Sequence, residues 1–74
     1  MRELRAKRKL VGWTQFRLAQ ESGVSRMRIS LAECGEATFT AEEDASIRKA
    51  LHEAIEARAA EIRSVLSSAV GATA

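Results

Sequence analysis

Apolar residues along this chain recur three and four positions apart in short blocks, with glycines between the blocks. That spacing lines one face of an α-helix. Gly12 and Gly23 separate the first blocks, Gly35 follows the third, and Gly71 lies in a tail of small residues. Each block carries a start signal. Thr14 is placed to cap a helix beginning at Gln15, and Ser25 to cap one beginning at Arg26. Thr40-Ala-Glu-Glu43 has the spacing of a capping box, and Glu42, Glu43 and Asp44 all suit a helix N-terminus. The pattern predicts helices at about 2–11, 14–21, 25–34 and 41–69, the first three short and joined by tight turns. The chain contains no proline, and Ala, Glu, Arg and Leu dominate it. Such a composition favours helix throughout, so the expected fold class is all-α.

The last segment differs from the others. Nothing between Thr40 and Val70 stops a helix, which could run roughly 40 Å at about 1.5 Å per residue. Its apolar positions are Ile47, Leu51, Ile55, Ala59, Ile62, Leu66 and Ala69 or Val70. From Ile55 onward the gaps are four, three, four and three, a short heptad pattern. A small core can cover Ile47 and Leu51 but hardly Leu66 as well. The chain therefore divides into a compact part at 1–52 and a helical extension at 53–74. Ile55, Ala59, Ile62, Leu66 and Ala69 are expected to pair with another chain.

The stretch Gln15 to Glu33 is the most informative. Leu18 and Ala19 share a face on which a small residue lets a second helix cross closely. Gly23 can take a positive φ and reverse the chain sharply, and Val24 plugs the turn from inside. Ile29 points the following helix back at Leu18, which leaves Arg26, Met27, Arg28, Ser30 and Leu31 facing outward. A helix presented in this way is what reading a DNA groove requires.

These residues resemble the Cro/repressor-type helix-turn-helix, or XRE, family. The likeness covers about residues 1–52 and needs no gap from Leu4 to Gly35. It rests on Leu4 and Arg8, Trp13-Thr14-Gln15, Leu18-Ala19, Gly23-Val24-Ser25, Ile29-Ser30, and Glu33 two positions before Gly35. The resemblance implies a repressor-like helix-turn-helix domain followed by one long C-terminal helix, with the recognition helix at about 25–34. It assigns Gln15 to a phosphate contact and to buttressing that helix. Arg26 and Met27 become base readers, with Arg28, Ser30 and Leu31 as further candidates. Arg8 and Glu33 match a family ion pair tying the first helix to the end of the third. Three positions depart from the family pattern. Ala32 stands where a larger aliphatic residue is usual, Glu36 where a basic residue often meets the backbone, and Phe16 on the outward face of the second helix.

Charge agrees with such a role. Net charge is +2 overall, but residues 1–34 hold eight Lys/Arg against three Glu, whereas residues 35–74 hold four against seven acids. A basic half followed by an acidic one suits a polyanion-binding module joined to something else. Arginine can bridge O6 and N7 of guanine, and Met27 or Leu31 can touch a thymine methyl. Lys7, Lys9 and Arg17, with Thr14, Gln15 and Ser25 at the helix starts, are expected to meet phosphates.

Other chemistry finds little support. Lone His52 makes neither a triad nor a metal site, there is no Gly-rich phosphate loop, and no Cys/His spacing for a metal. No enzyme activity, cofactor or metal is expected. Cys34 reads as a reduced thiol at a helix end. No apolar run approaches the roughly 20 residues that span a bilayer, and the N-terminus is charged at once, so the cytoplasm and its nucleoid are the expected location. A domain this short is marginal alone, and oligomerisation is the remaining way to add buried area.

The expected function is a transcriptional regulator of the repressor type, binding an inverted repeat in double-stranded DNA as a homodimer. The alternative is an antitoxin or similar interaction protein whose C-terminal helix folds on a protein partner.

Overall fold

The computed structural model describes the backbone of residues 3–73 and the side chains of residues 3–68. Four helices follow one another: α1 (Leu4–Leu10), α2 (Gln15–Ser22), α3 (Arg26–Glu33) and α4 (Ala41–Thr73). The described residues contain no strand. The chain is all-α, with short helices leading into one long C-terminal helix. Its first helix is shorter than the pattern predicts. Arg2 lies outside the described residues, and Val11 caps α1 where Gly12, at φ +73°, already turns the chain. The last helix is longer, passing through Gly71 to Thr73. A single glycine costs a helix only about 1 kcal/mol relative to alanine, which does not stop it.

The starts of the helices are fixed by side chains that satisfy otherwise open backbone donors. Thr14 Oγ1 accepts from the Arg17 N–H at 3.0 Å, and Ser25 Oγ from the Arg28 N–H at 3.2 Å. At α4 the capping box closes both ways. The Glu43 N–H donates to Thr40 Oγ1 at 3.1 Å, and the Thr40 N–H donates to the Glu43 carboxylate at 2.9 Å. Between α2 and α3 the reversal depends on Gly23, whose φ of +75° lies in the left-handed region. The Ser22 hydroxyl donates back to the Leu18 carbonyl at 2.7 Å and accepts from the Val24 N–H at 3.2 Å, which fixes the turn that buries Val24.

The core lies where the short helices meet the first half of α4. Leu4, Leu18, Ile29 and Ile47 are fully buried, one from each helix, and Val24, Ala32, Ala50 and Leu51 complete the cluster. α2 packs against both α3 and α4, and α1 packs against α4. Val11, Trp13, Ala19 and Phe39 close the rim. Ala32 is buried in this cluster despite its small volume. Beyond Leu51 the core runs out. Ile55 and Ala59 are half-buried, while Ile62, Val65 and Leu66 are 51%, 67% and 61% exposed. α4 thus stands out from the domain, and the molecule measures 53 × 19 × 18 Å.

Two substitutions separate packing from turn geometry. Leu18→Ala opens a cavity at the centre and is expected to cost about 2–5 kcal/mol in urea unfolding. Gly23→Ala meets no atom within 4 Å of the added methyl, so only backbone strain remains, about 1 kcal/mol. Equal losses from the two would contradict this division.

Candidate nucleic-acid interface

α3 has two unlike faces. Its inner face buries Ile29 and Ala32 in the core. Its outer face carries Arg26 and Met27, both exposed, and Ser30 and Leu31, both partly exposed. These four side chains line one shallow hollow. Met27 leaves 73% of its surface in water, a large apolar side chain that takes no part in the core. The hollow therefore combines a guanidinium, a hydroxyl and two aliphatic groups, the mixture that base edges and a thymine methyl can engage.

What holds this face in place is a buried charge cluster at the other end of α3. Glu33 is only 5% exposed at its side chain and takes a two-pronged contact from Arg8, with Nε at 2.8 Å and Nη2 at 3.1 Å. Gln15 adds its Nε2 to the same carboxylate at 3.1 Å. Arg8 Nη1 meanwhile donates to the Trp13 carbonyl at 2.7 Å, so one guanidinium ties α1, the turn after it and α3 together. Burial raises the Glu33 carboxyl, but the hydrogen bonds from Arg8 and Gln15 outweigh it and hold its pKa below the ordinary carboxylate value. The same partnership raises Arg8. Gln15 thus links the start of α2 to the end of α3. The N–H groups of Gln15 and Phe16, ahead of the capped Arg17, have no backbone or side-chain partner at the positive end of α2.

The basic residues sort differently from the sequence expectation. Arg28, expected to face outward as a base reader, is turned onto the start of α4. Its Nε and Nη2 meet the Glu43 carboxylate at 3.1 and 2.8 Å, and Nη2 also donates to the Thr38 carbonyl at 2.9 Å. Arg28, first in effect, and the Thr40 N–H pull Glu43 down to a pKa of about 2. Arg17 is bonded to Glu21 at 2.9 Å and its guanidinium lies 5.2 Å from the centre of the Trp13 ring, so it is partly engaged. Lys7 lies in the groove between α1 and α4, beside Leu51, His52 and Ile55, with Glu3 3.9 Å away. That position is on the α4 side of α1. Lys9 and Arg26 are exposed and make no ion pair with any described residue. Arg5 was missed in the sequence. It is exposed on α1, and its charge adds a little to the lowering of the Glu33 pKa; its spacing of four from Lys9 was the available signal. Thr14 and Ser25 are occupied as caps, yet both remain exposed.

The remaining departures also have places. Phe16 projects outward with 60% of its surface exposed, next to the open end of α2. Glu36 is exposed beyond Gly35. Cys34 is exposed at the end of α3, and His52 is exposed on α4. Ala69, expected on the apolar stripe of α4, lies outside the described side chains. Among the described residues no three His, Cys, Asp or Glu gather as metal ligands, and no helix is long and apolar enough to cross a membrane.

Two outcomes follow for stability. Removing one partner of a buried pair strands the other charge, so Glu33→Ala is expected to cost about 3 kcal/mol or more in urea unfolding. Both Glu33 and Glu43 have lowered pKa values when folded, so the stability they contribute is complete above the unfolded value of about 4.3 and fades as pH falls through their folded values, which for Glu43 is about 2. Glu43→Gln should therefore lower stability at pH 7 and converge with the parent in acid; a difference that persists unchanged to about pH 2 would contradict the ion pair. Comparison with protein-family models, with curated proteins and with solved structures gives no match for this chain.

Proposed function

We propose that this chain is a sequence-reading, double-stranded-DNA-binding protein of the Cro/repressor type, a transcriptional regulator that binds an inverted repeat as a homodimer. The observation that supports the reading best is the outer face of α3. It offers Arg26, Met27, Ser30 and Leu31 to solvent while its inner face and its far end are locked into the core. In this reading Arg26 bridges O6 and N7 of a guanine, and Met27 or Leu31 packs against a thymine methyl. The open N–H groups of α2, with Arg5 and Lys9, meet the sugar-phosphate backbone and supply affinity without sequence information. Arg28 acts through its grip on α4, setting the angle at which α3 is presented, rather than by touching a base. Two copies place their recognition helices about 34–36 Å apart, in successive major grooves. Such a protein is a binder rather than an enzyme, and works on the nucleoid in the cytoplasm.

A second reading draws on the exposed Ile62, Val65 and Leu66 of α4. There α4 covers a different protein, as an antitoxin covers a toxin, and the α3 face regulates the shared genes.

Selection from a pool of random duplexes across a salt series tests the first reading. A two-fold symmetric motif is expected, with affinity falling steeply as salt rises. Arg26→Ala should relax the preference at one base pair and weaken binding there by about 1–3 kcal/mol. Weak, uniform binding with no motif would overturn the proposal.

A further inference from the structure

We propose that the distal half of α4 is docked by a second copy of this chain running antiparallel to it, in one register. That register sets Ile55 against the partner's Leu66 and Ala59 against the partner's Ile62. The inference takes up the homodimer of the proposed function and gives it a geometry, but it stands on α4 and the groove beside it and needs no contact with DNA.

The apolar stripe beyond the core consists of Ile55, Ala59, Ile62 and Leu66, with Val65 on its edge. Over this length the stripe follows a heptad pattern, the requirement for two helices to stay in contact. Its two possible pairings are not equivalent. In a parallel pair each residue meets its own copy, so Ala59 faces Ala59 and leaves a gap between layers of isoleucine. In the antiparallel register Ala59 is always opposite an isoleucine and Ile55 opposite a leucine, which fills every layer evenly. Close packing favours the second arrangement.

The flanking charges select in the same direction. Glu56 and Arg63 stand two turns apart on one flank, exposed, and neither pairs with any described residue. Arg58 lies on the opposite flank, 3.8 Å from Glu61. Parallel pairing would bring Arg58 next to the partner's Arg63, two like charges repeated on both sides of the axis. It would also leave Glu56 opposite the position of Leu51, which is buried in its own domain. Antiparallel pairing brings Glu56 to the partner's Arg63 twice, and lays the aliphatic stem of Arg58 over the partner's Val65. Charge complementarity of this kind fixes helix orientation. The end of the seam is also prepared. Ile55 continues into the groove between α1 and α4, where Leu51 and Lys7 form the walls. The partner's Leu66 would close the mouth of that groove.

Disulfide trapping and sedimentation test this without DNA. In a Cys34→Ser background, chains carrying Ile55→Cys are mixed with chains carrying Leu66→Cys and oxidised. The mixed pair should cross-link efficiently and each chain alone poorly, because like positions at residue 55 would then lie about 16 Å apart, beyond disulfide reach. Homotypic cross-links in each chain alone would show a parallel pair and overturn the proposal. So would a protein that sediments as a monomer at high concentration. A charge pair supplies the second arm, at exposed positions that folding does not depend on. Arg63→Glu should weaken the dimer roughly ten-fold, and Glu56→Arg combined with Arg63→Glu should restore it. Tighter association of Arg63→Glu alone would instead identify the parallel form. Failure here with a symmetric DNA motif in hand would leave the DNA reading intact. Success here with no motif would remove the DNA reading and keep the dimer.

Discussion

Glu33 ends α3 inside the domain, with its carboxylate almost wholly covered and three donors on it from Arg8 and Gln15. The rest of the architecture hangs on this contact. A buried carboxylate is tolerable only if it is paired and hydrogen-bonded, and its partners here come from α1 and from the first residue of α2. The end of α3 therefore cannot shift without stranding a charge. Because α3 is only two turns long, fixing that end and burying Ile29 leaves its outer face little freedom. A short helix becomes a rigid pointer through electrostatics at one end and packing along its length.

The other end of α3 is held by a second, more exposed tie, from Arg28 to Glu43 and the Thr38 carbonyl. Glu43 works twice, as capping residue of α4 and as ion-pair partner. Start of α4 and start of α3 are thus set relative to each other. This tie narrows the candidate reading face to Arg26, Met27, Ser30 and Leu31. In the proposed reading it also leaves contact with the DNA backbone to a few cations and the open end of α2, a modest electrostatic supply for one copy. The two copies of the proposed dimer would double it, which fits a domain with a small core and a long exposed helix.

Much of this was legible in the sequence because the signals were local. Thr14, Ser25 and Thr40 each cap a helix within three residues, and Gly23 marks a conformation few other residues adopt cheaply. The limit of the core on α4 followed from counting turns: Ile47 and Leu51 are covered and Leu66 is not. The Arg8–Glu33 pair spans 25 positions and came from family resemblance, not from spacing. The Arg28–Glu43 pair, 15 positions apart on different elements, had no such help. Helical periodicity places Arg28 near the edge of the outer face, so the sequence predicts it outward. Periodicity says where a Cβ points; a side chain as long as arginine can still fold back to a carboxylate several ångströms away. Val65 escaped for a related reason, since it sits beside the heptad stripe and not on it.

In the proposed function, α3 and the start of α2 form the DNA-contacting surface. Titrating a 15N-labelled chain with a duplex at low salt and following backbone amide shifts tests it most directly. Gln15 to Arg17 and Arg26 to Leu31 are expected to move first and furthest, while Ser64 to Ser67 on α4 stay still. Shifts confined to α4, or none on α3, would contradict it.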